Sequence, residues 1–365
     1  MKKSIQLLKS LANQNGSIVV FIALGLIMLL GVAALAVDIG HITVTKNELQ
    51  NISDAASLAA TRQLGAIWET VPYENVDSFV LDDPAPLIAI AKDVGLKNQA
   101  GKRNITINDA DVIIGTWVRN RIPPFEATLN QPDAVKVIAR RSSSSPEGPI
   151  SNIFAKIFGK ETTNVGADAI AALTAQSTAG PGGLPVPVGI SSYWFRSGFC
   201  NQPIRFYPTN DPTSCAGWHV YDRYSNAPDS RLRATINDLE NWSYQSPEVI
   251  AGETQFEFNG GAMSIQTFAA MKSLFDSRKV MNDGIVDNDL NSSTWTASVP
   301  VYDLDDCSNP SGAILIVGFA TIVITNVQDA PVHQIDGYVI CDMVAPGRGG
   351  GGEYGTKGSI PGLVE

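Results

Sequence analysis

From Ser17 to Val37 the chain carries no charged residue, and Ile, Val, Phe, Ala, Leu and Gly follow one another with no polar face. At ~1.5 Å of rise per residue, such a run is long enough to cross a hydrocarbon core of ~30 Å. A core helix of a soluble protein keeps one polar face, so the pattern predicts a transmembrane helix at 17–37. Beyond Asp38 the pattern becomes one-sided: Leu49, Ile52, Ala56, Ala59 and Gln63 recur at helical spacing, while Lys46, Asp54 and Arg62 face water. This predicts an amphipathic helix over 38–68 that continues from the membrane. Small side chains let another backbone come close, so Leu49, Ile52, Ala56 and Ala59 are candidates for helix contact. The contact could be with a neighbouring helix, including that of a second copy, or with the chain's own ectodomain.

Past Trp68 the periodicity changes. Leu87, Ile88, Ile90, Ala91 and Val94 predict a short helix at Pro86–Val94, and strand-like runs follow at Asp111–Val118 and Ala134–Arg140. Residues 142–148 read as a loop. Ile150–Phe158 reads as a short amphipathic helix with Ile153, Phe154, Ile157 and Phe158 on one side, and Ala167–Thr174 returns to the sheet. These elements make a small α+β unit at 69–178. The Gly/Pro-dense stretch 179–187 predicts a linker. A β-rich, disulfide-containing domain follows at 188–345, with a helix at Ala269–Leu274 starting near Ser264 and strands at Ala297–Tyr302, Ala313–Thr325 and Gly337–Cys341. The long apolar run 313–325 is rich in β-branched residues, which favours a buried strand pair or one bent strand over a second membrane span. The Gly-rich residues 346–365 read as a flexible tail. The fold class is therefore α+β: a long N-terminal transmembrane and stalk helix, a small α+β unit and a β-rich C-terminal ectodomain.

Charge gives the helix a direction. Lys2, Lys3 and Lys9 precede the apolar run and Asp38 follows it, so residues 1–16 should stay cytoplasmic and the remainder should be exported, to the periplasm or the cell surface. Ala34-Leu35-Ala36 resembles a signal-peptidase site, but the apolar run exceeds the ~7–15 residues of a secretory signal, which favours a retained anchor. Prepilin-type cleavage after Gly16 is not expected, because Phe21 stands where such precursors carry Glu. Export also explains the cysteines. Cys200, Cys215, Cys307 and Cys341 contain no C-x-x-C pair, and their even number fits two disulfides in an oxidising compartment. Three pairings exist, and sequence proximity favours Cys200 with Cys215 and Cys307 with Cys341. A net charge of -10 argues against nucleic acid as a partner.

The residues also carry a family resemblance. Gly16-Ser17, the apolar span, Gly31-Val32-Ala33-Ala34-Leu35-Ala36-Val37-Asp38-Ile39-Gly40, Leu49-Gln50-Asn51 and Asp54-Ala55-Ala56-Ser57-Leu58-Ala59-Ala60 together resemble the N-terminal segment of TadE/TadG-like Flp pilus-assembly proteins. The resemblance covers about the first fifth of the chain. It implies bacterial tight-adherence machinery, a helix in the inner membrane, and other pilus-assembly or envelope proteins as partners. Some members add a von Willebrand A domain whose metal site begins Asp-x-Ser-x-Ser, and no such triplet occurs here.

Candidate chemistry is sparse. The histidines are His41, His219 and His333, and no nucleophile elbow, Walker A loop or H-E-x-x-H helix accompanies them. Asp283, Asp287 and Asp289 could offer oxygen ligands to calcium but miss EF-hand spacing; these and Asp303, Asp305 and Asp306 read as solvated acidic turns. The sequence thus predicts no catalytic residue, no cofactor and no metal site. It predicts a non-enzymatic, membrane-anchored assembly component; the alternative is an anchored surface module that binds a glycan or a calcium-dependent ligand.

Overall fold

The computed structural model describes residues 15–199, 202–205, 214–223, 228–259, 263–279, 293–329, 331–341, 343–351 and 354–364. Helix α1, Asn15–Trp68, is unbroken from the apolar run through the amphipathic stretch. Helix α2 follows at Ala85–Lys97. Strands β1 (Val112–Trp117), β2 (Phe125–Ala127), β3 (Ala134–Arg141) and β4 (Val165–Ala172) come next. Alternating burial along β3 follows its apolar and polar alternation, as expected of a sheet with one face covered.

The remainder is β-rich. It comprises β5 (Val188–Ser191), β6 (Pro203–Arg205), β7 (Ala216–His219), helix α3 (Asp229–Glu240), β8 (Gln255–Asn259), helix α4 (Ile265–Arg278), β9 (Trp295–Tyr302), β10 (Gly312–Gln328), β11 (Gln334–Ile340), β12 (Val344–Arg348), β13 (Lys357–Ile360) and β14 (Gly362–Val364). Helix α4 begins where its capping chemistry places it, with the Ser264 hydroxyl accepting from the Thr267 N–H. Seven strands run in the order β6-β11-β10-β8-β7-β5-β9, and β10 also pairs with β9, so five of them close into a ring. Closure removes sheet edges that would otherwise present unpaired backbone groups. The run expected as a strand pair or bent strand is one strand, β10, which pairs with β8 over Gly312–Leu315 and with β9 over Ile316–Ile324; its register with β9 shifts between Gly318 and Ile316. Trp218, Phe256, Trp295, Tyr302 and Phe319 fill the core.

By their contacts the residues fall into two units: the described part of Met1–Ala55 with Lys92–Asp111 and Ile138–Asp168, and Ala56–Ala91 with Val112–Val137 and the described part of Ala169–Glu365.

Three segments differ from expectation. Ile150–Phe158 is not an α-helix. Ile150–Ser151 pairs with Thr162–Thr163, and a 3-10 turn at Ala155–Phe158 is stopped by Gly159 in the left-handed region. Asn152 closes this hairpin, donating from its backbone to the Glu161 carbonyl and from its side chain to that of Lys160. The 179–187 stretch expected as a linker carries Leu184 and Val186 in the core, and Leu184 N–H donates to Ser246 Oγ. The tail expected to be flexible forms β12 to β14; β12 and β13 pair in parallel, and β14 adds an antiparallel edge to β4 in a five-stranded sheet of order β14-β4-β3-β1-β2.

Candidate membrane anchor and its junction

Along α1 the environment changes while the helix does not. Every large apolar side chain from Ile18 to Val37 is about half exposed or more, from 48% at Val37 to 74% at Met28. Moving each of these out of water is worth ~1.5–3 kcal/mol, which the fold leaves unrealised and a bilayer would supply. Among the described residues, α1 is the one helix long and apolar enough to cross a membrane.

From Leu49 the helix is covered by its own chain. Leu49, Ile52 and Ala56 are buried, as are Ala60 and Leu64, while Ala59 is half-buried. Part of this stripe is thus packed against the chain's own fold. Thr45, Ser53, Ser57 and Thr61 are also fully buried on this helix. Ser53 Oγ donates to the Ala167 carbonyl at 3.0 Å and accepts from the Ala139 N–H at 3.2 Å, tying α1 to β4 and β3. Thr61 Oγ1 donates to the Ala171 carbonyl at 3.2 Å. Sequence reading missed these positions, although Ser53, Ser57 and Thr61 recur every fourth residue, the spacing of one helix face. At its end α1 is fixed by Trp68, whose ring nitrogen donates to the Pro132 carbonyl at 2.7 Å.

The junction of the two halves is Asp38. Its carboxylate is almost fully buried and accepts backbone N–H bonds from Ile153 at 2.7 Å, Phe154 at 3.0 and 3.2 Å, and Ala155 at 2.6 Å. Three successive N–H groups turned to one anion form a concave nest at the start of the 3-10 turn. Burial alone would raise the Asp38 pKa, but the three backbone donors outweigh it and hold the acid below its ordinary value of 3.8. The sequence marks Asp38 only as the first charge after the apolar run; nothing local announces a partner 115 residues further on.

Cys215 is bonded to Cys307, which excludes both pairings favoured by proximity. The cause is topological: β5 runs parallel to β9, with Ser191 beside Tyr302, and Ser191 N–H donates to the Cys215 carbonyl while its hydroxyl donates to the Asp306 carbonyl. The two cysteines are thereby brought together across 92 residues. Cys341 is also disulfide-bonded, and Cys200 lies outside the described residues.

His219 is not at a core edge or surface but fully enclosed, stacked on Phe256 at 4.8 Å, and burial pushes its pKa down to about 3. A base that weak and that inaccessible cannot serve catalysis near neutral pH. His333 stacks on Phe268, and His41 sits half-buried on α1. A cavity of about 400 Å³ touches Trp117, Arg119, Asp133, Phe195 and Lys357, and Asp133 is paired with Lys357 at 2.7 Å. Asp305 pairs with Arg196, and Asp306 accepts from Ser308. Asp283, Asp287 and Asp289 lie outside the described residues, among which no cluster of three or more His, Cys, Asp or Glu could hold a metal.

A helix long and apolar enough to span a membrane, followed by an α+β fold, is the plan of a single-pass anchored protein. Residues 16–63 match the family described as "Putative Flp pilus-assembly TadE/G-like", and residues 77–171 match that described as "Putative Tad-like Flp pilus-assembly". The N-terminal region of the chain is therefore TadE/TadG-like, and these domains indicate involvement in Flp pilus assembly. No curated protein and no solved structure matches the chain.

Proposed function

We propose that the chain is a non-enzymatic, single-pass component of the Flp pilus assembly or secretion apparatus. Its N-terminus lies in the cytoplasm, α1 crosses the inner membrane, and the rest of the chain is exported and presented to other pilus-assembly or envelope proteins. The observation that carries this reading is α1 itself, exposed and apolar to Val37 and then built into the chain's own fold from Leu49 onward. The work done is mechanical: a helix continuous past the end of the apolar run joins the bilayer to the exported fold. The disulfide between Cys215 and Cys307 agrees with export to an oxidising compartment. Lys2, Lys3 and Lys9 ahead of the apolar run supply the orientation.

The test is to express the full chain in a bacterium that assembles Flp pili and to compare it with Leu26→Asp/Leu29→Asp. The native chain should stay with membranes through an alkaline wash and co-purify with other Flp assembly proteins. The doubly charged variant should lose both, since each acid costs ~2.5–3.5 kcal/mol at a helix centre in the bilayer. A native chain that washes off, or partners retained by the variant, would refute the proposal.

A further inference from the structure

Within the first unit, the hairpin tip after Asn152 leaves Ile153, Phe154, Ile157 and Phe158 uncovered, the last two at 78% and 80% exposure. A solvated turn gains nothing from four large apolar side chains, and the 3-10 turn contributes no buried residue to the fold. The tip is not a loose loop. Asp38 grips the backbone of Ile153, Phe154 and Ala155, and Asn152 ties off the base. Asp38 is the first residue after the apolar run of α1, so this clamp fixes the tip within about one helical turn, ~5 Å, of the place where the run ends. Lys156 and Lys160, both exposed, stand among and beside the apolar residues, with the exposed Glu161 next in sequence.

We infer that residues 153–158 form a second contact with the membrane that α1 crosses, lying in its interface, with Ile157 and Phe158 entering the acyl boundary and Lys156 and Lys160 reaching headgroup phosphates. Apolar side chains interleaved with lysines suit that depth, where one end of the contact is dry and the other wet. The occupant is lipid because the clamp seats the tip at the very end of the apolar run of α1, beside the equally uncovered Val37 and Ile39 that flank Asp38 in sequence. The tip would fix the rotation and tilt of α1 at its exit, which a lone helix leaves free. This inference rests on the reading of α1 as a membrane span.

The test uses the full chain in phosphatidylethanolamine/phosphatidylglycerol nanodiscs. An environment-sensitive fluorophore is placed on a single introduced thiol at Leu26→Cys, Ile157→Cys or Lys97→Cys; no described cysteine is free to compete. Lipids spin-labelled near the headgroup or deep in the chain serve as quenchers. Expected is deep quenching at Leu26, shallow quenching at Ile157, and none at the exposed Lys97. Quenching at Leu26 with Ile157 behaving like Lys97 would overturn the interfacial contact and leave the span intact. An Ile157 probe shielded from aqueous iodide yet not quenched by lipid would show a protein partner instead, and would also overturn it. Absence of quenching at both Leu26 and Ile157 would remove the span and this inference together. Adding Asp38→Asn should abolish quenching at Ile157 while that at Leu26 persists; unchanged quenching at Ile157 would contradict the clamp.

Discussion

His219 shows how far a single side chain's environment decides its chemistry. Tyr221, Phe256 and Phe258 surround it, and burial carries its pKa from 6.5 to about 3. The folded chain keeps this ring neutral while the unfolded chain protonates it below pH 6.5. The stabilisation is therefore fully present above pH 6.5 and is lost as pH falls toward 3. Between pH 6.5 and 4 the loss amounts to roughly 3 kcal/mol. His219→Phe should flatten that dependence, seen as a smaller drop in the urea midpoint of the detergent-solubilised chain between pH 7 and pH 4. Equal drops in the native chain and the variant would count against the buried neutral ring. Asp38 works in the opposite electrical sense. Its carboxylate is the favoured form, and the contribution of its clamp persists above the unfolded pKa and disappears as acid protonates it.

At the scale of elements, the sequence reported periodicity well and topology poorly. Helix α2, strands β1, β3, β4, β9 and β11, and the start of α4 at Ser264 all follow from spacing and capping residues visible in the chain. The disulfide did not, because parallel pairing of β5 with β9 is set by long-range sheet order, which proximity along the chain does not encode. Replacing both partners, Cys215→Ala with Cys307→Ala, should cost roughly 3–5 kcal/mol and lower the melting temperature under oxidising conditions; an unchanged melting temperature would show that the bond does not hold the fold. The C-terminal glycines misled for another reason. Sequence cannot separate glycine used for freedom from glycine used for close approach. At Gly355, φ is +89° and an added Cβ would collide with the Phe319 carbonyl, which itself accepts from the Thr356 N–H at 2.7 Å. Gly355→Ala should destabilise by about 1–3 kcal/mol and speed amide exchange over 357–364; exchange at the native rate there would argue for a tolerant turn. The 150–158 segment misled because apolar residues aimed at lipid and apolar residues aimed at a core share the same spacing.

In the whole molecule, one helix joins two environments. Its first half has the composition and exposure of a segment dissolved in lipid, and its second half, buried along Leu49, Ile52, Ala56, Ala60 and Leu64, is built into the fold. The buried face of the second half packs on the chain's own fold. The most direct measurement is protease accessibility in sealed, right-side-out spheroplasts of a chain tagged at its N-terminus. Added protease should remove epitopes beyond Trp68 without lysis, while the N-terminal tag survives until the membrane is opened. A body protected until lysis, or a tag digested in sealed spheroplasts, would contradict that topology.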